Sequence, residues 1–237
     1  MGELIELQPR RAAHAVAAAR PPRTLFVDVG CPLSYLAAEH AERSFGRVDW
    51  IPVSGLAVHG ELSRSQRARL RRRAEAQAEQ LRLPLVWPDH IGAEHRHALR
   101  AATFAAEIGA GARFALAAGR LAFCGGFDLD DPETLAEAAA AAAVPLGTCL
   151  QAAADTRWDV RLDAAAELLR ERQVTELPVL REGERWFAGH AGWPVAAALN
   201  GRGQSADGAP ARVQGAASAS SATVLAYPGG TPLAPAG

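Results

Sequence analysis

The residue with the clearest chemical potential is a cysteine at the junction of a strand-like run and a helix-like run. In the segment Cys31-Pro32-Leu33-Ser34, Cys31 takes the N-cap position of the helix and Pro32 the first helical position. A thiolate there faces free backbone N–H groups and the positive end of the helix dipole, so we expect a lowered pKa. Ser34 is placed to donate a hydrogen bond to the sulfur. We therefore predict a functional thiol; the alternative is a buried cysteine that packs as a small apolar residue.

The elements around this cysteine are typical of a strand, a helix and a second strand. Residues 24–29 form a short apolar, β-branched run that ends at Gly30. A helix is predicted from Cys31-Pro32 to about Phe45, and a second strand over 48–53. A βαβ unit of this kind should have parallel strands.

The middle of the sequence is predicted to be almost entirely helical. The predicted helices cover 61–82, 94–108, 112–118, 131–143 and 148–154, with an extended break at 83–88. A helix over 161–172, a strand over 177–180, a turn over 181–184, a strand over 185–188 and a last helix over 193–199 follow. This order predicts an α/β protein: a thioredoxin fold with an all-helical domain, about 56–156, inserted between its βαβ and ββα halves.

A proline at the start of the third predicted strand is the second candidate. Proline is poorly tolerated inside a central strand but acceptable at its first residue. Taken alone, Leu177-Pro178 is better explained by an ordinary trans bond, because cis occurs in only about 5–6% of X–Pro bonds. In a thioredoxin fold, however, a proline here is cis and lies beside the active cysteine. We therefore expect the backbone of Leu177 to be open for pairing with a substrate.

Four segments of the sequence resemble the DsbA superfamily of thioredoxin-like proteins. Within it, the resemblance is to the branch of 2-hydroxychromene-2-carboxylate isomerases and kappa-class glutathione transferases. It covers about residues 24–200. The segments are 26–37 (FVDVGCPLSYLA), 83–88 (LPLVWP), 127–131 (FDLDD), and Leu177-Pro178 with 186–189 (WFAG) behind it.

The resemblance implies a sulfur-handling site, because Cys31 stands where this branch has the serine that holds the thiol of bound glutathione. Glutathione or another low-molecular-weight thiol is thus the expected cofactor, and no metal is expected. The site residues implied are Cys31 and Ser34 for catalysis, and Pro32, Tyr35, Leu177, Pro178, Gly189 and His190 for binding substrate or thiol cofactor.

The sequence departs from the family pattern at two positions of this site. Ser34 stands where the oxidoreductase members have a second cysteine, so no disulfide can form within the motif. After Gly189, the residues His190-Ala191-Gly192 replace the acidic residue that family members use on the γ-glutamyl amine.

Other candidates carry weaker signals. His95 and His97 lack the i, i+4 spacing of a helical metal site and are interpreted as solvated or capping residues. The arginines of 67–73 are interpreted as a solvated helix face, the alternative being a basic rim that attracts an anionic substrate. Asp28 is equally consistent with a polar residue at a strand end and with a role in proton transfer.

Composition limits the class of protein. The 237 residues carry a formal charge of −1, and every Lys or Arg position is an arginine, so there is no global basic field for nucleic acid. No apolar run approaches the ~20 residues of a membrane-spanning helix. Three cysteines are too few for a disulfide scaffold. Cys124 and Cys149 are interpreted as inert, the alternative being that either is a remote resolving thiol. We expect a cytoplasmic protein with a flexible extension at 1–23 and a disordered Gly/Ala/Ser/Pro tail at 201–237.

These observations predict an enzyme that acts on a small molecule through the thiol of Cys31, by thiol-dependent oxidoreductase or transfer chemistry. A glutathione-dependent isomerase of the 2-hydroxychromene-2-carboxylate type and a non-catalytic binding protein are the alternatives. A homodimer is common among relatives, and the sequence itself fixes no interface.

Overall fold

The computed structural model describes residues 22–45, 47–88 and 94–189 of the chain. Within these ranges one sheet has the strand order β2-β1-β3-β4. The strands are β1 (Arg23–Val27), β2 (Asp49–Pro52), β3 (Val179–Glu182) and β4 (Arg185–Ala188). The first two strands are parallel, as predicted, whereas β1 pairs with β3, and β3 with β4, in antiparallel fashion.

Along the sequence, most helices of the described residues lie between the first two strands and the last two. Helix α1 (Pro32–Ser44) connects β1 to β2. Between β2 and β3 lie α2 (Gly55–His59), α3 (Arg64–Leu81), α4 (Arg96–Glu107), α5 (Gly111–Gly125), α6 (Pro132–Ala141), α7 (Leu146–Ala154), the short 3₁₀ helix Thr156–Trp158, and α8 (Asp159–Glu171). This arrangement confirms the predicted thioredoxin fold with a helical insertion. No helix of the described residues is long and apolar enough to cross a membrane.

Strand β1 lies at the centre of the core because its side chains alternate between two faces. Leu25 and Val27 pack into the larger cluster, which also contains Phe114 and Phe123 of α5. Phe26 points to the other face. All three of these strand residues are at most 2% exposed. Because both faces of the sheet are covered, the loop after β1 starts from a fixed position.

Several predicted boundaries differ from the structure, and three of these differences bear on the core and the site. Helix α5 continues to Gly125 instead of ending at Ala118, because Phe123 is buried and stacks on Tyr35 with ring centroids 5.7 Å apart. Strand β3 runs to Glu182, which pairs with Arg23 across the sheet at 2.6 Å, so the turn is shorter than predicted. Strand β3 also begins at Val179, so that the predicted Leu177-Pro178 segment precedes it. The predicted helix over 193–199 lies outside the described residues, as do residues 1–21 of the extension predicted at 1–23 and the tail at 201–237. The end of that extension is wrong, because Arg23 is buried and begins β1.

Candidate functional site

Cys31 occupies the N-cap of α1 and Pro32 the first helical position. Cys31 makes no side-chain capping hydrogen bond, but the backbone of Leu33 and Ser34 and the Ser34 hydroxyl lower the pKa of its thiol. Ser34 is only 2% exposed, and its Oγ accepts the backbone N–H of Asp28 at 3.2 Å. The serine therefore links the first turn of α1 to the end of β1.

The predicted lowering of the Cys31 pKa is wrong. Burial, and after it the negative charge of Asp28, raise the pKa of this thiol to about 11. The donors at the start of α1 oppose this shift but are outweighed, because loss of hydration and a nearby carboxylate both disfavour the thiolate. Cys31 thus rests as a neutral thiol.

Asp28 fixes the loop that carries the cysteine. Its Oδ1 accepts the backbone N–H of Gly30 at 2.8 Å, and its Oδ2 accepts that of Gly55, at the start of α2, at 2.7 Å. Burial raises the pKa of Asp28, while these two hydrogen bonds and the fields of His95 and His59 lower it. Both carboxylate oxygens are engaged, which shows a structural role at the strand end.

His95 packs against the same loop from the helical insertion. The residue is 6% exposed, and its Nδ1 lies 3.3 Å from Oδ2 of Asp130. A Cβ atom at Gly30 would overlap Cδ2 of the imidazole and would lie 3.2 Å from Nε2. Only glycine at position 30 leaves room for this ring. The histidine therefore faces the turn that immediately precedes Cys31, a placement that the sequence analysis did not predict.

His95, Asp128 and Asp130 bring one potential ligand atom each to within 4.8 Å of one another. Hydrogen bonds account for this cluster: Asp130 binds His95, and Oδ1 of Asp128 accepts the backbone N–H of Asp130 at 2.9 Å. Because ordinary hydrogen bonding explains the arrangement, we assign no metal to it.

The Leu177–Pro178 segment lies at the same end of the sheet as Cys31. The register pairs Val179 with Phe26, so the two residues before Val179 continue toward the loop after β1. The Leu177–Pro178 peptide bond is cis. A Cβ built on Gly55 would lie 3.6 Å from Leu177 Cδ1 and 2.8 Å from Asp28 Oδ2, which places Leu177 beside the Asp28 carboxylate.

The segment after β4 returns to this loop. The backbone N–H of Gly189 donates to the carbonyl of Pro178 at 2.9 Å. Gly189 has a φ of 62°, a conformation that favours glycine. His190, which the resemblance implies as a binding residue, lies outside the described residues.

An ion pair ties the helical insertion to the same segment. Arg73 of α3 donates from Nη1 and Nη2 to the two carboxylate oxygens of Glu176, each at 2.9 Å. Hydrogen bonding from Arg73 lowers the pKa of Glu176 below its ordinary value, which keeps the carboxylate charged. Arg73 is therefore more than part of the solvated face predicted for residues 67–73.

Tyr35, implied by the resemblance as a binding residue, is a core side chain here. It is 4% exposed, and its hydroxyl lies 3.1 Å from Sγ of Cys124 and 3.4 Å from the carbonyl oxygen of Pro84. These contacts direct the phenol toward α5 and the extended break.

No protein-family model and no curated protein matches the chain. Solved structures do match. A 2-hydroxychromene-2-carboxylate isomerase has a TM-score of 0.64 at 14% identity, covering 75% of this chain and 93% of its own. A protein of Streptomyces coelicolor assigned as a DsbA oxidoreductase has a TM-score of 0.61 at 17% identity. The match covers 81% of this chain and 94% of that one. A protein of Nitrosomonas europaea assigned as a protein disulfide isomerase has a TM-score of 0.58 at 14% identity, covering 78% and 100%.

These likenesses define the fold class of the chain. It is a thioredoxin fold with a helical insertion, as in these structures. At these identities they show the fold alone.

Proposed function

We propose that the protein is an enzyme that uses the thiol of Cys31 for thiol–disulfide exchange or thiol transfer on a small molecule. The observation that carries this is the placement of Cys31. It lies at the N-terminus of α1, and the Leu177–Pro178 segment lies at the same end of the sheet. Within the described part of the chain, the backbone of Leu177 has no hydrogen-bond partner, so it is free to pair with an extended ligand.

The chemistry requires a second thiol from solution. The sulfur of Cys31 attacks one sulfur of a substrate disulfide: a mixed disulfide forms, the substrate S–S bond breaks, and the leaving thiolate takes up the proton that Cys31 gives up. Because Ser34 is not a thiol, it cannot resolve this mixed disulfide. A low-molecular-weight thiol of the glutathione class must attack it, and a second such thiol completes the reduction of the substrate as the pair becomes a disulfide.

Mass spectrometry after incubation with glutathione disulfide tests this mechanism. We expect a glutathione adduct on Cys31 that added reduced glutathione removes, and no adduct at position 31 in Cys31→Ser. Cys124 and Cys149 serve as internal controls within the same digest. An adduct that forms on Cys124 alone, or no adduct at all, would refute thiol exchange at Cys31.

One observation favours a second function, a glutathione-dependent isomerase. The raised pKa keeps Cys31 protonated, so that it presents a neutral S–H group in the way that a serine presents its hydroxyl. A neutral donor suits a residue that holds the thiol of a bound cofactor. Turnover of 2-hydroxychromene-2-carboxylate with glutathione tests it: an isomerase should retain activity in Cys31→Ser, whereas thiol exchange should be lost. Glutathione binding without either activity would indicate a binding protein.

A further inference from the structure

The first half of α3 carries more positive charge than its surroundings balance. Six arginines and no acidic residue lie between positions 64 and 73. Two of the six pair with glutamates that the structure describes, Arg71 with Glu75 and Arg73 with Glu176. Arg67 is exposed and has no ion pair within that part of the chain. Because arginines in the first turn of a helix also face the positive end of its dipole, a bound anion would relieve the repulsion.

An apolar groove lies beside these arginines, between α3 and the extended segment that ends near Trp87. It has a volume of about 290 Å³ and is lined by Arg67, Ala68, Leu70, Arg71 and Trp87. Pockets for small-molecule ligands begin at about 300 Å³. The groove therefore has room for one large apolar side chain and not for a large cofactor.

The indole wall of this groove is fixed by contacts within the protein. Nε1 of Trp87 donates to Oε1 of Glu75 at 3.1 Å, and Nε of Arg71 donates to the same oxygen at 3.1 Å. The Arg71 guanidinium also lies over the indole, 4.8 Å from the ring centroid. Because these contacts hold the ring against α3, a partner that binds here does not have to order it.

We propose that this groove binds an acidic peptide segment of a partner protein through one large apolar side chain. That side chain packs between Leu70 and Trp87, and the acidic residues on either side of it pair with Arg67 and Arg64. Arg64 is exposed, has no ion pair among the described residues, and lies one turn before Ala68 on the same face of α3. The interaction goes beyond the proposed function and does not depend on Cys31.

A single-stranded nucleic acid is the competing partner for arginines beside an aromatic ring. Its bases would stack on an open aromatic face, but Arg71 lies over the Trp87 ring. The rest of the groove is lined by the aliphatic side chains of Ala68 and Leu70, which suit an apolar side chain. The formal charge of the whole chain, −1, also disfavours nucleic acid. The observations therefore favour the acidic peptide.

Fluorescence anisotropy of a labelled synthetic peptide, in which glutamates flank a single phenylalanine, tests the proposal on the full-length chain. We expect saturable binding that weakens at least about tenfold when serine replaces the phenylalanine, because the buried ring is lost. Trp87→Ala should weaken binding about tenfold, and Arg67→Gln about threefold. An oligothymidylate of the same length should bind more weakly than the peptide.

Two charge-matched variants keep the test independent of folding, which circular dichroism checks. Ala68→Glu places a carboxylate in the groove and should weaken binding at least about tenfold. Ala76→Glu adds the same charge at an exposed position of α3 outside the groove and should stay within about twofold of wild type. Equal weakening by these two variants would overturn the proposal. So would equal affinity for the serine peptide, tighter binding of the oligothymidylate, or no saturable binding at about 1 mM peptide.

Discussion

Breaking the ion pair between Arg73 and Glu176 should loosen the segment that carries Leu177 and Pro178. The pair is bidentate, with two N–O distances of 2.9 Å, but the side chains are 27% and 44% exposed. Exposed pairs contribute about 0.2–1 kcal/mol, and solvent screening limits this one despite its geometry. We therefore expect a coupling energy of about 0.5–1 kcal/mol between Arg73 and Glu176 in a double-mutant cycle.

The pH dependence of this coupling has a definite sign. The pKa of Glu176 is lowered from its ordinary value of 4.5, first by the hydrogen bond from Arg73. A carboxyl group with a depressed pKa in the folded state stabilises the fold above its unfolded pKa. This stabilisation is lost as the pH falls through the folded value. The coupling energy should be complete at neutral pH and should disappear in acid well below 4.5.

Urea unfolding of the wild type, Arg73→Gln, Glu176→Gln and the double variant measures the coupling at neutral pH and in acid. Arg72→Gln, an exposed neighbour on the same helix, is the matched control and should change stability by no more than about 0.5 kcal/mol. If the ion pair positions the segment, Arg73→Gln should also slow formation of the mixed disulfide at Cys31. A coupling energy below about 0.2 kcal/mol at neutral pH, or one that survives in acid, would refute the reasoning.

Three further predictions test the site and the core. The thiolate absorbance of wild type minus Cys31→Ser should titrate with a pKa of about 11, and a midpoint below about 8.5 would contradict the described burial. Gly30→Ala should displace the buried imidazole of His95 and lower stability in urea by about 1–3 kcal/mol; wild-type stability would show that the ring is not held against this turn. Phe114→Ala, at a fully buried position, should cost about 3–5 kcal/mol, whereas Phe127→Ala, at a residue 53% exposed, should cost far less; equal losses would contradict the described core.

Local signals in the sequence were sufficient to predict most of the fold. The β-branched run before Gly30, the Cys31-Pro32 helix start and the hairpin near the C-terminal end each have short-range signatures, and their order indicates the topology. The short helix α2 has no such signature because it is five residues long. Helix α5 was predicted too short, since its last turn is held by burial of Phe123 against Tyr35, a contact between distant segments.

The candidate site was predicted less completely than the fold. The position of Cys31 follows from its neighbours in sequence, whereas its pKa depends on burial and on Asp28, and burial cannot be inferred from a helix start alone. His95 was interpreted as a solvated or capping residue after a metal site was weighed, because histidine spacing within one segment is a local test. Its contact with Gly30 joins residues 65 positions apart in the sequence, and only the folded chain reveals it.

The fit of the His95 ring over Gly30 also restricts how this sequence can change. A side chain at position 30 and an imidazole at position 95 would occupy the same volume, so a larger residue at position 30 requires a smaller residue at position 95. Replacement of His95 by a small residue would open room for a larger residue at position 30. In a library that randomises both positions, histidine at 95 should therefore be recovered only with glycine at 30, and that joint selection would be visible by sequencing alone.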